Sequence, residues 1–95
     1  MIGSEIGKHI DEEGNIVKVS LKVYNNDDLV RKHDIKIGSE YVINPVNPRK
    51  SKGRDRKVAV TKFVRDGKYP LQAQVKYLDT KRPGRVDIED LDLIK

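Results

Sequence analysis

Residues Ile16–Tyr24 alternate strictly between two sets of side chains, and this pattern restricts the chain to a fold that contains β-sheet. One face of an extended strand would carry Val17, Val19, Leu21 and Val23, and the other Lys18, Ser20, Lys22 and Tyr24. A period of two is typical of a strand with one buried face. Just before it, Gly14 and Asn15 tolerate the positive φ of a tight turn. We therefore predict a β-hairpin over Ile6–Tyr24.

A second hairpin is predicted further along the chain. Residues Arg56–Val64 are rich in β-forming side chains, and Leu71, Ala73, Val75 and Tyr77 then alternate with Gln72, Gln74 and Lys76. The segment between them, Arg65–Lys68, contains Asp-Gly, which is a strong signal for a hairpin turn. The two strands should therefore pair as a hairpin over Arg56–Tyr77.

The remaining elements are shorter. We predict a short helix over Leu29–His33, because Asn25–Asp28 supply side chains that can cap its first turn. The other predicted elements are a turn at Gly38, a strand over Glu40–Asn44, a loop at Pro45 and Pro48, a turn at Pro83–Gly84, and a short strand with one helical turn within Val86–Ile94. Five or six short strands separated by tight turns predict a mostly-β small barrel.

The segments "KIGSEYVINP", "GRDRKVAVTKFV" and "LQAQVKYLDTKRPGRVDIEDL" together resemble a small SH3-like barrel of the Tudor or KOW type. Gly38 precedes a first strand at Tyr41–Ile43, Val75–Asp79 is similar to a third strand, and Asp90–Leu91 is similar to the closing turn. The resemblance covers roughly residues 36–93. It implies a barrel in residues 36–95, and the hairpin and the short helix or turn of residues 1–35 lie outside it. A length of 95 residues predicts that both parts form a single domain over residues 1–95.

The sequence offers little for catalysis. It has no cysteine and only two histidines, His9 and His33, and it contains neither a phosphate-binding loop nor a dinucleotide fingerprint. Residues 11–15 lack the spacing of a calcium loop. The carboxylates of Asp87–Asp92 could attract a divalent cation, but an exposed acidic run is the favoured interpretation. We therefore expect a protein that is not an enzyme and has no metal site and no cofactor.

Apolar segments are short. No run of 18 apolar residues occurs, and the N-terminus lacks a basic start followed by an apolar block, so we expect neither a membrane segment nor a secretory signal. Because the chain has no cysteine, a reducing compartment is also the default. We therefore expect a cytoplasmic protein.

Charge is concentrated in the middle of the chain. The net charge is +5, but residues 45–85 carry 13 Lys and Arg against three Asp and Glu, while both flanking segments are net acidic. Such clustering is the electrostatic footprint of a protein that binds a polyanion. The alternative is that the acidic flanks neutralise the basic block within the fold, leaving only a solvated surface.

The predicted binding surface contains nine cations and one aromatic ring. These are Arg49, Lys50, Lys52, Arg54, Arg56, Lys57, Lys81, Arg82, Arg85 and Tyr69. If the second hairpin forms, residues 81–85 fall at the same end of it as residues 49–57. The polar stripe of Gln72, Gln74 and Lys76 could also face nucleic acid, although an ordinary solvent face is favoured.

The aromatic residues favour duplex over single-stranded nucleic acid. Single-strand binders stack bases on exposed rings. Alternation places Tyr41, Phe63 and Tyr77 in the core, which leaves Tyr69, next to Pro70, as the exposed ring beside the basic segment. We therefore expect contact with backbone phosphates, which depends on cations and releases counterions.

The leading hypothesis is a nucleic-acid-binding small barrel that contacts phosphates with limited sequence specificity, with duplex DNA favoured over RNA. One alternative is a protein-interaction module or inhibitory factor that binds an acidic partner protein. Another is an RNA-binding adaptor associated with the ribosome or transcription, as the KOW resemblance implies. The Tudor resemblance implies an aromatic cage for a cation, but such a cage would use the rings that the core needs.

Overall fold

Two antiparallel β-sheets form the fold in the computed structural model, which describes residues 2–51, 53–64 and 72–94. The first sheet contains β1 (Ile2–Ile10), β2 (Ile16–Asn25) and β3 (Asp28–Lys36), in that order. The second contains β4 (Glu40–Ile43), β5 (Lys57–Val64), β6 (Gln72–Tyr77), β7 (Pro83–Asp87) and β8 (Leu91–Asp92), in the order β7-β6-β5-β4-β8. The predicted mostly-β class is confirmed.

Helix is confined to one short element among the described residues. A 3-10 turn over Ile88–Asp90 connects β7 to β8, which confirms the predicted helical turn after a short strand. None of the helical structure in this part of the chain is long and apolar enough to cross a membrane.

The N-terminal hairpin forms as predicted. β1 pairs with β2 so that Ile6 lies opposite Leu21. Its turn is closed by Asp11, whose Oδ1 accepts hydrogen bonds from the backbone N–H groups of Glu13 at 3.0 Å and Asn15 at 2.9 Å. Gly14 has a φ of 85°, which a residue without a Cβ adopts without strain.

The predicted helix over Leu29–His33 is wrong, because these residues belong to β3. Asn26 and Asp27 have φ values of 52° and 72°, and two successive positive φ angles form the tight turn that joins twisted antiparallel strands. Asn and Asp favour such turns as well as helix caps. Here the turn prevails, and Asn25 pairs directly with Asp28 to continue the sheet.

One apolar core lies between the two sheets. Its buried residues are Val19, Leu21, Val23 and Ile35 from the first sheet, and Tyr41, Ile43, Val58, Val60, Phe63, Ala73, Val75, Ile88 and Leu91 from the second sheet and the 3-10 turn. Tyr41 and Phe63 are therefore in the core as predicted, whereas Tyr77 is half-buried. Val17 is exposed, because β2 bulges there and the register with β1 shifts between His9 and Ile10.

Polar side chains of β3 join the sheets at one edge of this core. The guanidinium of Arg31 donates to the backbone carbonyls of Glu89 at 2.7 Å and Asn44 at 2.6 Å, and it lies 3.5 Å from a carboxylate oxygen of Asp92. His33 Nε2 donates to the Leu91 carbonyl at 2.9 Å. These contacts hold β3 against the strand and turn that follow β7.

The β6–β7 connection differs from the prediction at Pro83–Gly84. Both residues belong to β7, and the turn lies before them, closed by the Lys81 N–H donating to the Tyr77 carbonyl at 2.8 Å. Gly84 serves packing instead, since a Cβ there would overlap the Tyr77 ring. The predicted turn over Arg65–Lys68 lies outside the described residues. Among the described strands no ladder joins the two sheets, so closure into an SH3-like barrel stays a prediction.

Candidate nucleic-acid interface

The basic loop between β4 and β5 is held together by Arg54. Its guanidinium donates to Asn44 Oδ1 at 3.2 Å, to the Lys50 carbonyl at 2.7 Å and to the Asn47 carbonyl at 3.3 Å. These acceptors all lie in the first part of the loop, so Arg54 ties that part to the segment that leads into β5. Arg54 is partly buried and uses its hydrogen-bonding capacity inside the protein. In this structure it therefore supports the loop and does not project from it.

Lys50 is bound to the acidic segment near the C-terminus. Its ammonium lies 2.8 Å from Asp87 Oδ2 and 2.7 Å from Asp90 Oδ2, and the Asp90 side chain is only 10% exposed. Partial burial disfavours the charged ammonium, but the hydrogen bonds to both carboxylates outweigh it and raise the pKa of Lys50 above its usual value. The side chain therefore fastens the loop to the 3-10 turn.

Arg56 connects the loop to the β6–β7 turn. Its guanidinium carbon lies 3.9 Å from the centre of the Tyr77 ring, and Nη2 lies 3.0 Å from Asp79 Oδ1. The hydrogen bond from Arg56 lowers the pKa of Asp79. The Leu78 N–H also donates to the Lys57 carbonyl at 3.0 Å. The loop and the turn therefore meet at the same end of the second sheet.

The other predicted cations are exposed. Arg49, Lys57, Lys81, Arg82 and Arg85 all project into solvent, and none of them forms an ion pair with another described residue. Lys52 and Tyr69 lie outside the described residues. Thus three of the predicted binding cations, Lys50, Arg54 and Arg56, are engaged within the fold, and the exposed ones are distributed more widely than the basic loop.

The outer surface of the second sheet brings the predicted cations Lys57 and Arg85 together with Lys62 and Lys76, which the predicted binding set did not include. Lys62 lies opposite Gln74, and Gln74 lies opposite Arg85, so the three side chains form a row across β5, β6 and β7. Strands in a sheet are about 4.8 Å apart, which separates the Lys62 and Arg85 backbones by about 10 Å. Lys76 and Lys57 stand on the same surface, nearer the β6–β7 turn. We call Lys57, Lys62, Lys76 and Arg85, with Gln74, the cationic face.

The cationic face is open and unneutralised within the part of the chain that the structure describes. Its four basic side chains are exposed, and no carboxylate of a described residue lies within ion-pair distance of them. Lys81 and Arg82 are exposed at the adjacent β6–β7 turn. The signal for this face was present in the sequence as the alternation of β6, but the bulge between Val60 and Lys62 shifts the register and could not be located from it.

The acidic run of Asp87–Asp92 is engaged by basic and amide side chains. Lys50 contacts Asp87 and Asp90, and the Asn44 side chain donates to Asp92 at 3.1 Å. Among residues 2–51, 53–64 and 72–94, no group of three or more His, Cys, Asp or Glu is placed to hold a metal ion. The absence of enzymatic activity stays a prediction.

No protein-family model, curated protein or solved structure shows significant similarity to the chain. The SH3-like resemblance therefore rests on the sequence segments alone and stays a prediction.

Proposed function

We propose that this protein binds duplex DNA through its backbone phosphates, with limited sequence specificity, and that the cationic face is the contact surface. The observation that carries the proposal is the group of exposed basic side chains on β5, β6 and β7 that have no carboxylate partner among the described residues. A polyanion would supply the missing negative charge and release its counterions on binding. The turn cations Lys81 and Arg82 add to the same contact.

The side chains of this surface favour a duplex over a single strand. Single-strand binders stack bases on exposed rings. The described rings near the cationic face are not available for stacking, since Phe63 is buried and Tyr77 lies beneath Arg56. Lys contacts a phosphate as a mobile point charge without reading bases, so we expect little discrimination between sequences.

Fluorescence anisotropy with a labelled DNA duplex tests the proposal directly. Contact by the six cations of the face and turn would make log affinity fall against log salt with a slope of about −5 between about 50 and 200 mM salt. Single-stranded DNA and duplex RNA of the same length are the comparison probes. A preference for duplex RNA would reassign the partner to RNA.

The variant Lys62→Glu with Arg85→Glu should weaken binding at least tenfold and make the salt slope less steep by about two. The matched control is Lys32→Glu with Lys36→Glu on β3, which changes the net charge equally at two exposed positions of the first sheet. Equal loss in both variants would mean that net charge alone drives the binding. No binding to any probe at low salt would refute the proposal and leave an acidic protein as the candidate partner.

A further inference from the structure

β1 leaves one edge of the first sheet without a strand neighbour. It is nine residues long, and among the described strands it pairs only with β2. Among the described residues, no backbone hydrogen bond from another element reaches its outer edge. A long unpaired edge presents a row of N–H and C=O groups on which a further strand can form.

The other edges of the two sheets are shorter or partly covered. β8 has two residues, and β7 begins with Pro83, which has no N–H to donate. The outer edge of β3 is occupied at its C-terminal end by Tyr41, whose hydroxyl accepts from the Lys36 N–H at 2.8 Å and donates to the Asp34 carbonyl at 3.2 Å. β1 contains no proline, and the bulge beside it adds its extra residue to β2. Its edge is therefore regular and accessible.

The sequence of β1 is complementary to itself in the antiparallel direction. Ile2, Ile6 and Ile10 are spaced four residues apart and lie on the same face of the strand. With a twofold axis at Ile6, each Ile6 lies opposite its copy, and Ile2 lies opposite Ile10, whose side chain is 59% exposed in the single chain. Apolar pairs directly opposite one another stabilise antiparallel strands.

The remaining pairs of this arrangement fit equally well. Ser4 lies opposite Lys8, so no like charges face each other. On the other face of the strand, Glu5 lies opposite Gly7, and His9 lies opposite Gly3. Each of the two larger side chains thus has a glycine as its neighbour.

We propose that β1 pairs with β1 of a second copy of this chain, so that two three-stranded sheets become one continuous six-stranded sheet. The occupant is a second copy because of the symmetric spacing of the three isoleucines about Ile6. One strand pair buries little surface compared with the roughly 1,200–2,000 Å² that is typical of stable interfaces, and contacts below that range are usually weak. We therefore expect a weak, concentration-dependent dimer.

Cysteine cross-linking tests both the interface and its register, since the chain has no cysteine of its own. Opposite Cα atoms of antiparallel strands are about 4.5–5.5 Å apart, a distance that a disulfide spans. Ser4→Cys protein mixed with Lys8→Cys protein should form a disulfide-linked heterodimer in a glutathione redox buffer. Either variant alone should not, because the two copies of position 4 are about 14 Å apart in this register.

Charge variants at the exposed Ser4 provide the second test, in sedimentation velocity over about 10 μM to 1 mM protein. Ser4→Glu would face Lys8 of the other copy twice and should tighten the dimer by roughly 2- to 30-fold. Ser4→Lys should weaken it by a similar factor, and adding Lys8→Glu to Ser4→Lys should restore it. Circular dichroism would establish that all variants fold.

The outcomes are distinct. A heterodisulfide that forms only in the mixture, together with opposite effects of Ser4→Glu and Ser4→Lys, would establish the proposed pairing. Equal cross-linking of Ser4→Cys alone would show another register or interface and overturn it. A protein that stays monomeric at the highest concentration, including the Ser4→Glu variant, would also overturn it and leave the edge to a strand from a different protein.

Discussion

The loop between β4 and β5 and the cationic face are both rich in Lys and Arg, but the two regions use these residues differently. In the loop, Lys50 contacts two carboxylates, and Arg54 donates to three acceptors of the loop itself. On the face, Lys62 and Arg85 are exposed and have no carboxylate partner among the described residues. Density of charge along the sequence therefore does not identify the cations that are available to a ligand.

The difference is one of secondary structure. An irregular loop has many backbone carbonyls without sheet partners, and basic side chains can satisfy them. In a strand the ladder satisfies those groups, so a basic side chain on the outer surface finds no local acceptor. If this comparison is right, substitution in the loop should lower stability, and substitution on the face should lower only affinity for nucleic acid.

The largest effect on stability is expected for Lys50→Met. The variant keeps most of the side-chain volume but leaves Asp87 and the buried Asp90 without their cation. Removing one partner from a buried ion pair costs 3–5 kcal/mol, and because Lys50 is partly exposed we expect about 2–3 kcal/mol. Urea unfolding measures this loss as a decrease in the free energy of unfolding. Lys62→Met on the cationic face is the matched control, and an equal loss there would contradict the distinction between the regions.

Arg54→Ala should have the next largest effect. It removes the donor for Asn44 Oδ1 and for the carbonyls of Asn47 and Lys50. Hydrogen bonds from charged donors contribute about 1.5–3 kcal/mol, but water can reach part of this loop, so we expect a loss of about 2 kcal/mol. Thermal unfolding would measure it against Arg85→Ala. If Arg54→Ala unfolded at the same temperature as Arg85→Ala, these contacts would not support the loop.

Acid should weaken the loop attachment specifically. Burial would raise the pKa of Asp87, but hydrogen bonds from Lys50 and Gln72 outweigh it and hold this pKa below its ordinary value of 3.8. Because the folded-state pKa is lowered, the contribution to stability is present above 3.8 and is lost as the pH falls through the folded-state value. The stability difference between wild type and Lys50→Met should therefore narrow below pH 3.8. A constant difference would show that the carboxylate charge is not the cause.

The strands could largely be predicted from the sequence, because the alternation that specifies β2 and β6 and the β-forming composition of β5 are local. β3 could not be predicted, because its inward positions include Arg31 and His33, whose acceptors Glu89 and Leu91 lie 58 residues further along the chain. A polar residue with a distant partner looks like a surface residue until the fold is known.

The same limit applies to the candidate site. Lys50 is neutralised by Asp87, which is 37 residues away in the sequence. Lys62 lies beside Gln74 because of a bulge in β5. The basic segment and the second hairpin were visible in the sequence. The sequence did not show which cations are bound within the loop and which are exposed on the sheet, because that depends on contacts between residues far apart in the chain.

The smallest effect is expected for Arg56→Lys, which tests whether the loop needs a guanidinium or only a charge. Arg56 lies over the Tyr77 ring and contacts Asp79 at once, and a planar guanidinium can do both, whereas a lysine ammonium is a compact point charge. A cation over a ring contributes about 0.5–1 kcal/mol at exposed sites, so we expect a loss of about that size in urea unfolding. Arg85→Lys on the cationic face is the conservative control and should leave stability unchanged, since Arg85 forms no ion pair and no cation–π contact with a described residue. If both variants were equally stable, charge alone would connect the loop to the β6–β7 turn, and Arg56 would be as available to phosphate as the cations of the face.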